Sequence, residues 1–97
     1  MSEFTVTRES LAGAPVIKFD IKGDTMRAEL DGATLYAEVG RDESADVRLT
    51  SACNHVLADI SVRAPFGTTL TDAVADVGSA LLWSHHRFVS AGGEINS

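Results

Sequence analysis

The sequence predicts an α+β protein, in which an antiparallel β-meander of about five to six strands packs on one C-terminal α-helix at about residues 69–89. Between residues 16 and 39, apolar and polar side chains alternate with a period of two, which is typical of half-buried antiparallel strands. From residue 69 the apolar spacing becomes that of a helix. The 97 residues, 44% of them hydrophobic, suit a single domain, 1–97, with one core.

The strands are predicted within residues 3–64. The first is FTVTRE (4–9), and a bend with Gly13 and Pro15 follows it. The next three are VIKFDIK, TMRAELD and ATLYAEV. Gly23-Asp24 and Asp31-Gly32 separate these runs, and both pairs are typical of two-residue hairpin turns.

These two turns define a register that can be checked on both faces of the sheet. On one face every facing pair is apolar: Ile21 with Met26, Phe19 with Ala28, Ile17 with Leu30, Leu30 with Ala33, Ala28 with Leu35, and Met26 with Ala37. On the other face Lys18 meets Glu29, Asp20 meets Arg27, and Arg27 meets Tyr36. Because turns and faces agree, this meander is the central prediction.

Residues 43–63 fit two structures. A helix would place six apolar residues on one stripe: Leu49, Ala52, Cys53, Val56, Leu57 and Ile60. A hairpin would join DVRLT to HVLADISVRA through the loop SACN (51–54), with Leu49 facing Val56 and Val47 facing Ala58. The β-branched residues favour the hairpin, but the sequence leaves both structures open.

The C-terminal helix has clear end signals. Thr69 is a good N-cap, Asp72 suits the first turn, and AGG (91–93) ends the helix. We expect the tail 92–97 to fray. The predicted core stripe is Leu70, Ala73, Val74, Val77, Leu81 and Phe88, with His85 at its edge.

The composition argues against several classes of function. The net charge of −6 disfavours binding to nucleic acid or to an anionic membrane. No apolar run approaches the ~18 residues that suggest a membrane span, and MSEFTVTRES does not resemble a signal peptide. A single Cys cannot form an internal disulfide. The predicted location is therefore cytoplasmic, and the acidic surface suits a partner with a basic surface.

Leu82, Trp83 and His86 fall on the helix side opposite the predicted core stripe. A Trp on the outer side of a helix is typical of binding hot spots. The alternative is that the tail or the bend at Pro65-Phe66 covers Trp83 within the chain. These three residues, together with the acidic loop residues Asp42, Glu43 and Asp46, form the predicted partner-binding surface. The predicted function is non-enzymatic and stoichiometric, as an inhibitor, adaptor or assembly subunit. The partner would be another protein or a second copy, for example a homodimer through a strand edge at TVTR.

The alternative function is a small-molecule site or a minor hydrolase around Cys53, His55 and His85. The spacing of these residues matches no zinc pattern, and His85 and His86 are adjacent, whereas zinc-binding helices use a four-residue spacing. No oriented third group or oxyanion site accompanies Cys53 and His55. The sequence therefore predicts no catalytic residue, no metal and no cofactor.

Overall fold

The computed structural model describes residues 3–10, 13–40 and 43–93. Within them, six antiparallel strands follow one another in chain order across one sheet, and a helix packs against it, so the predicted α+β meander is confirmed. The strands are β1 (Glu3–Arg8), β2 (Ile17–Lys22), β3 (Thr25–Leu30), β4 (Ala33–Val39), β5 (Ser44–Thr50) and β6 (Val56–Arg63), and the helix is α1 (Leu70–Ser90).

The central meander has the register that the turns predict. Ile21 faces Met26, and Met26 in turn faces Ala37. Alternate residues of β2, β3 and β4 are buried under the helix. One contact differs: Arg27 faces Asp20 as expected, but its guanidinium bonds to Glu29 of its own strand at 2.8 Å.

Residues 43–63 form the hairpin rather than the helix. The predicted register is wrong by two residues, because Leu49 faces Ala58 and Val47 faces Ile60. Thr50 nevertheless faces Val56, so Leu57 has no partner in the ladder and forms a β-bulge. The bulge brings Leu57 to the helix side beside Ala58, and it leaves Val56 54% exposed.

A buried serine organises the loop between β5 and β6. The Ser51 Oγ accepts hydrogen bonds from the amides of Cys53 (3.3 Å) and His55 (3.2 Å). The Ser51 amide donates to the His55 carbonyl at 2.9 Å. Asn54 has a positive φ of 64°, which asparagine tolerates better than most residues. The loop is therefore a closed turn.

The helix begins and ends as the sequence predicts. Thr69 is extended, and its side chain accepts a hydrogen bond from the Asp72 amide at 3.2 Å. At the other end, Ala91 and Gly92 donate to helix carbonyls, and Gly92 has a φ of 90°. The predicted frayed tail lies outside the described residues from position 94 onward.

The buried face of α1 is rotated from the predicted stripe by roughly 100° about the helix axis. Phe88, assigned to the core, is 46% exposed, and Leu70, Val77 and Leu81 are only half-buried. The face against the sheet consists mainly of small residues: Ala73, Val74, Ala75, Gly78, Ser79 and Leu82.

The sheet supplies the large side chains of this contact. Phe19, Leu35, Ile17 and Met26 are almost fully buried beneath the helix. A helix can approach such a surface closely only where its own residues are small, because close-packed interiors leave no space for bulk on both sides. Apart from Leu82, the largest apolar residues of α1, such as Leu81 and Phe88, therefore lie on its flank.

Candidate interaction surface

The helix residues predicted to bind a partner do not share an exposed face. Leu82 is fully buried against the sheet, so its predicted outer position is wrong. The cause is the rotation of α1, which buries the face that Leu82 shares with Ala75 and Ser79. Trp83 and His86 lie beside this face and are each half-buried.

The connection between β1 and β2 covers Trp83. The indole Nε1 donates a hydrogen bond of 2.8 Å to the Pro15 carbonyl oxygen, which satisfies the polar edge of the ring. Phe66 is fully exposed, so the predicted cover by the bend at Pro65-Phe66 is wrong. Trp83 therefore attaches the helix to the β1–β2 connection.

His86 lies in an arrangement that superficially resembles a hydrolase triad. Its Nδ1 is 2.5 Å from Asp31 Oδ2, and its Nε2 is 3.5 Å from Ser90 Oγ. Such a triad also needs free donors for an oxyanion. The amides of Ala91, Gly92 and Gly93, which follow Ser90, all donate to helix carbonyls instead. The arrangement therefore supports a structural tie better than an active site.

That tie holds the β3–β4 turn against the helix. Asp31 and Gly32 have φ values of 52° and 81°, which suits a tight hairpin turn. The Asp31 carboxylate reaches His86 in the last turns of α1, 55 residues further along the chain. The sequence predicted the turn but could not predict this tertiary contact.

A cleft of about 590 Å³ adjoins Trp83. Its lining includes His86, Arg87 and Ser90. These groups lie at the C-terminal end of α1, where the helix dipole disfavours anions. His86 is already held by Asp31. Two of these three groups, His86 and Ser90, are therefore engaged in contacts with other side chains of the chain.

The predicted acidic loop is only partly described. Asp42 lies outside the described residues. Glu43 is exposed with a φ of 61°, and Asp46 is exposed on the outer face of β5, opposite Glu38. Glu43 and Asp46 are therefore accessible, and their role in binding a partner stays a prediction.

The residues of the alternative site lie on different elements. Cys53 and His55 are exposed in the β5–β6 loop. His85 is half-buried on α1 and lies in a groove with Leu57 and Ala58. Among the described residues, no group of three or more His, Cys, Asp or Glu side chains is arranged to hold a metal ion.

The two edge strands of the sheet differ in how their helix-facing sides are covered. On β1, the Arg8 side chain turns inward and bonds to two carboxylates of α1, Asp76 at 2.8 Å and Asp72 at 3.0 Å. Hydrogen bonding to Asp76, followed by that to Asp72, raises the pKa of the Arg8 guanidinium. The Arg8 hydrogen bond, and then that of Thr69, lowers the pKa of the Asp72 carboxyl.

An inward-pointing charge on an edge strand is a known means of preventing further strands from pairing there. The β1 edge carries this feature in Arg8, although Phe4 at its start is 48% exposed. On β6 the residues that face the helix side are apolar: Ala58, Ile60 and Val62. The β6 edge therefore has no such protection.

Between β6 and α1 runs an apolar groove of about 350 Å³, which we call the β6 groove. It is lined by Leu49, Leu57, Ala58, Leu81, Ser84, His85 and Phe88. Beside it, Ile60 is 39% exposed, and Phe88 in its wall is 46% exposed. Among the described strands, β6 pairs with β5 alone, so it forms one edge of the sheet, next to the groove.

The outer face of the sheet is polar and electrically balanced. One row crosses the strands through Asp20, Arg27, Tyr36, Arg48 and Asp59. Arg48 bonds to Asp59 at 3.0 Å, and both side chains are more than half exposed. Opposite charges that neutralise one another in this way are typical of a solvated face.

Comparison with protein families, with curated proteins and with solved structures gives no match to this chain. The helix of the described residues does not combine the length and apolar character that crossing a membrane requires.

The sequence did not predict that Ile60 and Phe88 would be exposed at the surface. Ile60 belonged to a correctly recognised alternation, but the alternation could not reveal that β6 lies at the edge of the sheet. Phe88 belongs to an apolar stripe at helical spacing, but the prediction placed this stripe against the sheet, whereas Phe88 lies at the surface. A useful signal was the small-residue spacing of Ala75, Gly78 and Ser79, which marks the side of a helix that can approach a sheet.

Proposed function

We propose that the protein is a stoichiometric protein-interaction module that binds through strand β6 and the adjacent β6 groove. A partner segment in extended conformation would pair with the backbone edge of β6. Its alternate side chains would enter the groove against Leu57, Leu81 and Phe88. Strand addition of this kind derives affinity from main-chain hydrogen bonds and specificity from the pockets.

The observation that supports this proposal is the difference between the two edges. Arg8 places a charge over the helix-facing side of β1, whereas Ile60 and Phe88 leave apolar surface exposed beside β6. Exposed apolar surface next to an edge strand is a hazard unless a partner covers it. The proposal keeps the interaction function predicted from the sequence and moves its surface from Leu82, Trp83 and His86 to β6.

Selection from a library of extended peptides tests the proposal. We expect the protein to select peptides with alternating apolar residues, and the amide NMR shifts on binding to concentrate in β6 and in the helix from Leu81 to Phe88. Ile60→Lys introduces an inward charge like that of Arg8 and should reduce affinity by about tenfold or more. Tyr36→Lys is the matched control, because Tyr36 is similarly exposed, at 43%, on the opposite face of the sheet.

Two results would contradict the proposal. One is equal binding of the selected peptides by the protein and by Ile60→Lys. The other is a shift pattern centred away from β6, for example in the cleft beside Trp83. Circular dichroism of both variants establishes that each retains the fold.

A further inference from the structure

We infer that the occupant of the β6 edge is a second copy of this chain, paired antiparallel through β6 about a twofold axis at Ser61. The inference rests on the proposed function and specifies its partner. It would join two sheets into one continuous sheet of twelve strands, with both helices on the same side. The argument comes from the side chains that β6 presents on its two faces.

A twofold pairing of two identical strands allows few registers. Facing residues must belong to the same face of the sheet, since otherwise apolar and polar side chains would meet. A register centred on Asp59 would place the two Asp59 carboxylates opposite each other, which is unfavourable. A register centred on Ile60 places Asp59 opposite Ser61, and one centred on Val62 places Arg63 opposite Ser61, so neither register forms an ion pair.

The register centred on Ser61 is the self-complementary one. It places Asp59 of each copy opposite Arg63 of the other, so two opposite-charge pairs form. On the helix side, Ile60 of each copy faces Val62 of the other, which covers the exposed part of Ile60. At the axis the two Ser61 hydroxyls can hydrogen-bond to each other. Symmetric pairing of this kind is isologous and closes after two copies.

Engineered cysteines test the register directly. Cys53→Ser first removes the exposed native thiol, and Ser61→Cys then places one thiol on β6. Residues directly opposite across antiparallel strands lie close to disulfide distance. We expect Ser61→Cys to form a covalent dimer under mild oxidation about tenfold faster than the matched variant Thr5→Cys, which is similarly exposed on the other edge strand.

Charge exchange tests the pairing in solution by sedimentation equilibrium. With Asp59→Arg alone, or with Arg63→Asp alone, side chains of like charge would lie opposite each other twice in the dimer. We therefore expect the dimer Kd to rise about tenfold. The double variant Asp59→Arg/Arg63→Asp restores both opposite-charge pairs between copies, so its Kd should return to within about threefold of the native value. It does not restore the contact between Arg48 and Asp59 within one chain, so a merely structural role for Asp59 would show no such recovery.

A single-chain mass of 10.3 kDa at concentrations up to about 1 mM would overturn the inference. Equal cross-linking of Ser61→Cys and Thr5→Cys would also overturn it, as would a double variant no better than the single ones. These outcomes leave the peptide experiment unaffected: a monomer that still selects extended peptides through β6 has lost the homodimer but kept the interaction function.

Discussion

Gly78 allows α1 to lie directly on the sheet, and replacing it with alanine perturbs that contact by one methyl group. A Cβ at this position would lie 2.3 Å from Leu35 Cδ2, and 3.1 and 3.2 Å from two ring carbons of Phe19. Optimal carbon–carbon separations are about 3.5–4.0 Å. Leu35 and Phe19 are both fully buried, so neither side chain has free space into which to move.

Two terms of opposite sign determine the outcome of Gly78→Ala. Alanine is the better helix former by about 1 kcal/mol. Overpacking a core by one methyl group costs about 1–3 kcal/mol, and a contact as short as 2.3 Å belongs in the upper part of that range. We expect the free energy of unfolding to fall by about 1–2 kcal/mol, which lowers Tm by roughly 5–15 °C in a domain of this size.

Urea denaturation followed by Trp83 fluorescence and by circular dichroism measures this change. Ala80→Gly is the control, because Ala80 is exposed on the same helix and isolates the propensity term of about 1 kcal/mol. Adding Leu35→Ala to Gly78→Ala removes the obstructing methyl group, so the double variant should lose about 1 kcal/mol less than the sum of the single losses. A Gly78→Ala protein as stable as the native one would refute the close-approach explanation of the helix face.

Two further predictions concern polar contacts. The Asp72 pKa lies below its ordinary value of 3.8 because of Arg8, so the unfolded chain binds more protons in acid. The stability that Asp72 adds should therefore be present above about pH 4 and disappear as the pH falls through its folded pKa. Acid titration of the native protein and of Asp72→Asn measures this contribution as the difference between their free energies of unfolding. A difference that stays constant down to about pH 2 would contradict the prediction. Ser51→Ala removes the acceptor for the amides of Cys53 and His55. We therefore expect the free energy of unfolding in urea to fall by about 1–3 kcal/mol, and hydrogen exchange at both amides to become faster. Unchanged exchange would show that other contacts hold the loop.

The sequence predicted the parts of the fold that depend on local pattern. The β2–β4 register followed from two-residue turns and alternation, because both act within about fifteen residues of chain. The helix ends followed from Thr69 and Gly92 for the same reason. The β5–β6 register did not follow, since the bulge at Leu57 interrupts the regular alternation on which that prediction depended.

The candidate surface was harder to predict because it depends on tertiary position. The large apolar residues of α1 suggested which side of the helix faces the sheet. The sheet already provides Phe19 and Leu35 to the core, however, so the helix presents mainly small residues to it. Trp83 suggested a partner contact, but the Pro15 carbonyl receives its N–H. Neither the cover over β1 nor the exposure of β6 can be read from the strands alone, because edges are defined only by the complete sheet.

The position of α1 after all six strands has a consequence for synthesis. The helix contacts β1 and β3–β6, so the inner face of the sheet stays uncovered while the ribosome adds residues 70–90. The hairpins can close early because their contacts are local, but the core is completed only when this helix docks on the sheet. During that interval the nascent chain exposes the surface of Phe19 and Leu35 together with the β6 edge. Variants that weaken helix docking, such as Gly78→Ala, should therefore reduce soluble yield in the cell more than their equilibrium stability alone implies.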